Sequence, residues 1–433
     1  MKSLQKPFLI KGPKLCLENE LTEPSSHGLL CAGGRIQKIL NFNDESLNQE
    51  LDQGVNRAVN QGVNQIGANL SLGLNVDLIE FPADYLLLPG FIDLHIHGAD
   101  GADFMDGTPE AFHKIGAALL REGTTGFLAT TMTESPEKII QSLKNMTTTV
   151  EDSKSKWTEP RDSIEMSLGA LSQQFLGVHL EGPFLAHSRM GAQCGEKILD
   201  PSLELFEKFY AASAGKIKVV TLAPEAPGAL DFIQDLVAKG VVVSIGHTDA
   251  TFDQAQKAIE GGASYATHLF NAMRGIHHRE PGCACAILMD DRVSAELIAD
   301  GVHLHPDMVK FVVHVKGINK VILVTDAMRA QCLGDGIFEL GGQRVEVKNK
   351  EARLSNGVLA GSVLTLREAL LNAKKFTGLN WLELSRLTSA NPAKIAGCFY
   401  DRGSLSIGKR ADFVVLSPAG EICATFLAGN RMN

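Results

Sequence analysis

Between Leu86 and Met328 the sequence repeats one pattern eight times: a short apolar run that ends in polar or small residues, followed by more polar chain. The runs are LLLPGFIDLHIHG, TTGFLATTM, FLGVHLEGP, IKVVTLAPE, VVVSIGHTD, ASYATHLFNAM, SAELIADGVH and KVILVTDAM. Between them lie segments with helical spacing, such as PEAFHKIGAALLREG and FDQAQKAIEGG, each closing on glycine as helix C-termini often do. Eight buried strands alternating with helices predict an α/β fold, a TIM-type (β/α)8 barrel. A doubly wound open sheet is the competing arrangement. No GxGxxG follows the first run, and polar residues gather at the C-terminal ends of many runs, which favours the barrel.

The flanks read differently. Residues 1–88 are short strands and turns, and GLLCAGGRIQKIL is a hairpin pattern with Gly33-Gly34 at its turn. The tail GSLSIGKRADFVVLSPAGEICATFLAGN returns to β character. The two ends are expected to pair into one small β-sandwich-like domain, 1–88 with 400–433, around a barrel of 89–399. Two polar stretches interrupt this plan. Residues 41–75, with the imperfect repeat DQGVN/NQGVN, read as a surface insertion without chemistry, and 148–174 as an insertion outside the barrel.

Composition excludes several classes. Hydrophobic residues at 44% and charged residues at 21% are the balance of a globular chain with a sizeable core. A formal charge of −9 without a basic stripe argues against a nucleic-acid partner but not against an anionic small molecule, which needs only local cations. The N-terminus has no signal-peptide run, and no segment approaches the roughly 20 apolar residues that cross a bilayer. Eight scattered cysteines without a CxxC suit reduced thiols, so a cytoplasmic setting is expected. Cys283-x-Cys285 lies in an apolar segment and reads as core packing.

The chemistry concentrates at the ends of the runs. His95 and His97 are two apart on a strand, so both imidazoles face one side at the end where barrel active sites form. Glu181, His247, His268 and Asp326 hold the same relative place in other runs. Imidazoles and carboxylates opening onto one mouth suit Zn²⁺ or Fe²⁺, with a carboxylate able to bridge two ions. Such a site hydrolyses: a bound cation lowers the pKa of water toward ~7 and polarises the carbonyl under attack. An amide also needs its nitrogen protonated as it leaves. Asp326 suits that shuttle, taking a proton from the attacking water and returning it to the amine, whether or not it also touches metal. His179, two residues before Glu181, reads as a supporting or packing residue. His113 reads as structural; His277-His278 fits solvent exposure as well as substrate contact, and His305 either supports His303 or faces water.

These residues resemble the amidohydrolase superfamily in PGFIDLHIHG, the distant strand-end His and Asp, and the tail IGKRADFVVL. HLEGPF (179–184), GHTDA (246–250), THLFNAM (267–273), REPG (279–282), DGVH (300–303), VTDA (324–327) and LAGS (359–362) are similar to the N-acetylglucosamine-6-phosphate deacetylase family. The resemblance implies a (β/α)8 barrel with a small β domain, a homodimer, and hydrolysis of the acetamide of N-acetylglucosamine 6-phosphate in amino-sugar catabolism. It implies Glu181, His247 and His268 as metal ligands and Asp326 as catalytic acid/base. Ala192, Gln193, Asn271, Ala272, Arg279, His303 and Leu359, Ala360 and Gly361 match substrate contacts, with Arg279 reaching across from the partner subunit. Gln193 stands where some members have His. Members that keep HxH hold two metals, so His95 and His97 imply one or two divalent cations per subunit bridged by Glu181.

Two other readings stay open. Another amidohydrolase, a cyclic-amide hydrolase or aminoacylase, is disfavoured by HLEGP and NAM-x₅-REPG and by the lack of a strand-end lysine to carboxylate. A silent scaffold with this fold would be expected to have lost ligands, and every proposed ligand is present.

Overall fold

The computed structural model describes residues 6–43, 67–70, 74–156 and 163–433. Among these, the eight apolar runs form the strands β1 (Phe91–Ile96), β2 (Thr124–Thr131), β3 (Phe175–Glu181), β4 (Ile217–Leu222), β5 (Val242–Ile245), β6 (Tyr265–Ala266), β7 (Ser294–Leu297) and β8 (Val321–Leu323). Each pairs in parallel with its sequence neighbour, so the order in the sheet is that of the chain. A parallel bridge between Ile96 and Ala327 joins the ends. There Asp326 N–H donates to His95 O (2.8 Å) and His97 N–H to Ala327 O (2.9 Å). The sheet thus curls into a (β/α)8 barrel. Every residue of β1 and β2 is buried, which is why these runs are continuously apolar rather than alternating.

The surrounding helices are fixed by local signals. In Pro109–Arg121, Thr108 caps the N-terminus by accepting from Ala111 N–H, and proline opens the first turn. Phe112, Ile115, Ala118 and Leu119 form its buried stripe. Thr251 and Gln254 make a reciprocal capping box for Phe252–Glu260. The glycines that ended both patterns follow at φ +83° (Gly123) and +110° (Gly262), backbone that a side chain would strain.

Two five-stranded sheets lie beside the barrel. One runs Arg35–Asn41, His27–Ala32, Phe8–Lys11, Leu74–Glu80, Gly67–Leu70; the other Lys14–Leu15, Leu86–Pro89, Phe413–Leu416, Ile422–Leu427, Asn430–Arg431. Antiparallel pairing of Phe413–Leu416 with Leu86–Pro89 joins the two ends of the chain. Their shared core stacks Phe8 and Phe413 on Phe426 with ring centroids 5.7 and 4.5 Å apart. The expected hairpin is present, with Gly33 and Gly34 both at positive φ (58° and 75°) as a two-residue turn requires.

Two features depart from the sequence reading, and a third stretch is described only in part. The described part of 148–174, expected as a polar insertion outside the barrel, is helical. Its first part completes the helix Pro136–Lys156, and Ser163–Gln174 is a second helix, with residues 157–162 outside the described ones. Ala170 and Leu171 are buried, and Gln174 Nε2 donates to Gly116 O and Thr124 O, so this segment belongs to the helical layer. Of the predicted 41–75 insertion, residues 44–66 and 71–73 lie outside the described residues, and Gly67–Leu70 pairs with Leu74–Glu80. An unforeseen antiparallel meander follows β8: Gly336–Leu340, Gln343–Lys348 and Glu351–Leu354. Leu340, Val345, Val347, Ala352 and Leu354 press its inner face onto Met132, Met328 and Ala360. Cys283 is buried in the helix Gly282–Met289, and Cys285 Sγ sits 3.7 Å from Met289 Sδ.

Candidate active site

Closure of the ring gathers six strand-end side chains from five directions. Glu181 ends β3 and stands at their centre. Its Oε1 lies 3.2 Å from His247 Nε2, 3.2 Å from His268 Nε2 and 3.3 Å from His95 Nε2. Its Oε2 lies 3.2 Å from His97 Nε2. Asp326 Oδ1 faces the β1 pair, 3.2 Å from His97 Nε2 and 3.3 Å from His95 Nε2. Glu181 is shared by two groups whose donor atoms lie within 4.8 Å of one another, one with His95 and His97, the other with His247 and His268.

The backbone is bent to achieve this. His247 (φ +47°), His268 (φ +28°) and Asp326 (φ +48°) all adopt left-handed conformations that non-glycine residues avoid, a strain that recurs at functional sites. Supporting bonds hold them. His247 Nδ1–H donates to Arg189 O at 2.9 Å, turning Nε2 inward. Gln193 Nε2 donates to Glu181 Oε2 at 2.8 Å and its Oε1 accepts from Thr133 N–H.

Charges are strongly coupled. Burial opposes ionisation of Glu181, but the charge of His95 and hydrogen bonds from His247 and His268 hold its carboxyl well below the ordinary value. Burial likewise opposes charge on Asp326, yet His95 and His97 bring it down to about 2. Burial disfavours the imidazolium of His97, but Asp326 and Glu181 outweigh it and raise the group to about 9. His179 behaves differently: burial, aided by the charge on His95, pushes it down to about 3. Its Nδ1 faces Leu94 O and its Nε2 Thr221 Oγ1, the supporting place expected for it.

The donor set fits a divalent cation. Two buried carboxylates demand positive charge nearby, four imidazole Nε2 atoms point at them, and His95 Nε2 has no hydrogen-bond partner among the described residues.

Above the cluster opens a cavity of ≈ 320 Å³. His97, Glu181, His247, His268 and Asp326 reach it, and His95 lies fully buried beneath. Of the predicted substrate contacts, Ala192, Gln193, Asn271, Ala272, His303, Leu359 and Gly361 line it, and Ala360 is buried in the meander's core. His303 gives Nδ1–H to Asp300 at 2.6 Å, leaving Nε2 for the cavity. Arg279 is not brought to it by its own chain: it is exposed, with Nη1 2.7 Å from His278 Nε2. A larger hollow of ≈ 520 Å³ lies along the charged outer face of the meander and contains none of the cluster.

Sequence reasoning missed Glu296, which accepts from His95 Nδ1–H at 2.9 Å, and Leu340 and Met132, which wall the cavity. Glu296 had a signal: it is the lone charge inside the apolar run SAELIA, and a carboxylate in a buried strand must find partners.

Four imidazoles and two carboxylates at the C-terminal mouth of a (β/α)8 barrel are the donor set of a barrel hydrolase. A model of the amidohydrolase family matches residues 86–432. The chain is similar to the N-acetylglucosamine-6-phosphate deacetylase of Bacillus subtilis (strain 168), 43% identical over 352 residues, 81% of this chain and 86% of the relative. It is also similar to the N-acetylgalactosamine-6-phosphate deacetylase of Escherichia coli O157:H7, at 35% over 79% of this chain and 87% of that one. A solved Mycobacterium smegmatis N-acetyl-D-glucosamine-6-phosphate deacetylase variant, in complex with N-acetyl-D-glucosamine-6-phosphate, superposes with TM-score 0.82 at 30% identity over 99% of each chain. The chain therefore belongs to the amidohydrolase family and, within it, to the N-acetylglucosamine-6-phosphate deacetylases.

Proposed function

We infer that this chain hydrolyses the acetamide of N-acetylglucosamine 6-phosphate to acetate and glucosamine 6-phosphate. The carrying observation is the convergence of His95, His97, Glu181, His247, His268 and Asp326 on one buried point beneath a sugar-sized cavity. Glu181, His247 and His268, with His95 and His97, would hold one or two divalent cations, zinc or iron, with Asp326 a further ligand. When bound, such a cation polarises the acetyl carbonyl and acidifies water to a pKa near ~7. Asp326, ionised near neutrality, takes the proton of the attacking water as the C–O bond forms. It returns that proton to the nitrogen as the C–N bond breaks, so the amine leaves neutral. We assign His303 Nε2, Asn271 and the backbone of Ala192, Ala272 and Leu359–Gly361 to orienting the sugar, and Gln193 to keeping Glu181 in register, because these segments border the cavity and Gln193 bonds to Glu181.

Arg279 is assigned to the phosphate of a substrate held in the partner subunit, because its planar fork matches that group. A homodimer is supported by exposed apolar side chains on this loop, Ile276 (48%), and on the helices Gly282–Met289 and Pro306–Lys316 that follow it in the chain, Met289 (69%), Phe311 (40%) and Val315 (44%). Arg279→Met should chiefly raise KM for the phosphorylated sugar, and mixing it with D326N should bring KM back toward wild type, since a mixed dimer builds one complete site. Absence of rescue removes the shared site. We take 1–88 with 400–433 as the small domain and 89–399 as the barrel. No helix among the described residues is long and apolar enough to cross a membrane, and eight free thiols suit a cytoplasmic setting.

The deciding assay is acetate release from N-acetylglucosamine 6-phosphate, its 4-epimer and the unphosphorylated sugar, with and without chelator. Chelator-sensitive release from the first above the others is expected. Turnover of a cyclic amide or N-acyl amino acid with none of the sugar phosphates would overturn the reading.

A further inference from the structure

Glu296 lies on β7 with no exposed surface, at the floor of the ligand cluster. A carboxylate there is costly unless hydrogen-bonded. Its Oε2 accepts two bonds: from His95 Nδ1–H at 2.9 Å, 201 residues away in sequence, and from the backbone N–H of His268 at 2.9 Å. Those two histidines belong to different halves of the cluster.

Each bond has a consequence. The partner of one imidazole nitrogen decides what the other can do. With Nδ1 of His95 committed to Glu296, Nε2 is left as the electron-pair donor, aimed at Glu181. The second bond fixes the entry to the left-handed turn at His268, a conformation that histidine keeps only where its surroundings over-determine it. His179 does not compete for this place. Its ring packs edge-on to His95 with centroids 4.6 Å apart, and both its nitrogens are engaged, by Leu94 O and by Thr221 Oγ1. The group His95–His179–Glu296 therefore offers no free imidazole electron pair for an ion of its own.

We propose that Glu296 is a positioning residue for the whole ligand cluster: through one oxygen it sets the tautomer of His95 and the turn that aims His268, and so governs how tightly the chain holds divalent cations in both halves. The proposal rests on the reading that this cluster binds metal.

The test is a Zn²⁺ titration of chelator-stripped wild type, E296Q and E296L against a chromogenic competitor, with zinc counted per chain and thermal unfolding recorded for each metal-free protein. E296Q keeps an oxygen that can accept both N–H groups, so it should retain the wild-type stoichiometry and bind zinc about 10-fold more weakly. E296L leaves both N–H groups unmet and should bind about 100-fold more weakly or lose an ion. A purely structural glutamate would lower the unfolding temperature of metal-free E296L without changing zinc affinity of the folded protein. Wild-type affinity in folded E296L, or in E296Q where E296L does not fold, overturns the proposal. A wild type that binds no zinc, cobalt or iron sinks the metal reading itself, and this role with it. A wild type that binds a single ion leaves the test decisive, because Glu296 touches both halves.

Discussion

The two halves of the ligand cluster are built in opposite ways. His95 lies on β1 and His97 directly follows that strand, two residues on, neither in left-handed backbone; His95 is buried beneath the cavity and His97 reaches it. His247 and His268 come from separate loops after β5 and β6, in left-handed backbone, and both line the cavity. The first half costs no backbone strain but needs Glu296 to direct a ring. The second stores strain and needs Arg189 O, Glu296 and the loops themselves to hold it. Regular structure thus makes the floor of the site at His95, and strained turns, with His97 beside them, make the wall that meets substrate. Glu181 spans both, and Asp326 leans on the β1 side.

Substitutions can break or sharpen this contrast. Asp326→Asn should have the largest effect, lowering kcat about 10³- to 10⁴-fold while bound metal per chain stays unchanged. Near-normal turnover would remove the proton shuttle, and loss of metal would make Asp326 chiefly a ligand. His268→Asn, on the wall, removes a proposed metal ligand beside the substrate and should cost about 10²- to 10³-fold in kcat/KM, since the cation it helps hold polarises the carbonyl under attack. His95→Asn, on the floor, should cost only about 10- to 100-fold and show mainly as weaker metal binding. Equal losses in the two variants would mean that the halves do not differ in function. The smallest effect belongs to Asp249, which accepts from Arg189 and Arg274 and so braces the loop whose carbonyl holds His247. Hydrogen bonds from Arg274 and Arg189 bring its carboxyl down to about 2. Because the folded-state value is depressed, this stabilisation is complete above the ordinary aspartate range and is lost as pH falls through about 2. The group is part-exposed, so Asp249→Asn should cost no more than about 1 kcal/mol in thermal unfolding at neutral pH. A larger loss, or one that grows toward alkaline pH, would contradict that account.

Much of the barrel was legible because burial on both faces of a parallel strand writes itself as a continuous apolar run, and because a polar residue ending such a run has one place to go. That reasoning located Glu181, His247, His268 and Asp326 without any contact information. It failed where a segment's partner lies far away in sequence. The helix Ser163–Gln174 looked like a polar insertion because its partners, Gly116 and Thr124, lie 58 and 50 residues away in sequence from Gln174. The meander after β8 alternates in the expected way along Gln343–Lys348, but its short strands carry charges outward and pass for loop. Gln193 looked like a substrate contact alone, since its bond to Glu181 depends on how the loop after β3 folds back.

The sequence alone determined the number and order of the strands, the hairpin at Gly33-Gly34, the helix ends, and the side of β1 on which two imidazoles lie, for these are matters of period and local backbone preference. Only the tertiary structure decided that the ring closes between Ile96 and Ala327, that Glu296 sits under His95, and that three active-site residues accept left-handed backbone. Neighbours along a chain fix direction and burial. Distances between residues hundreds of positions apart are set by the packing of the whole barrel, whose combined stability can hold a strained loop where no local preference would.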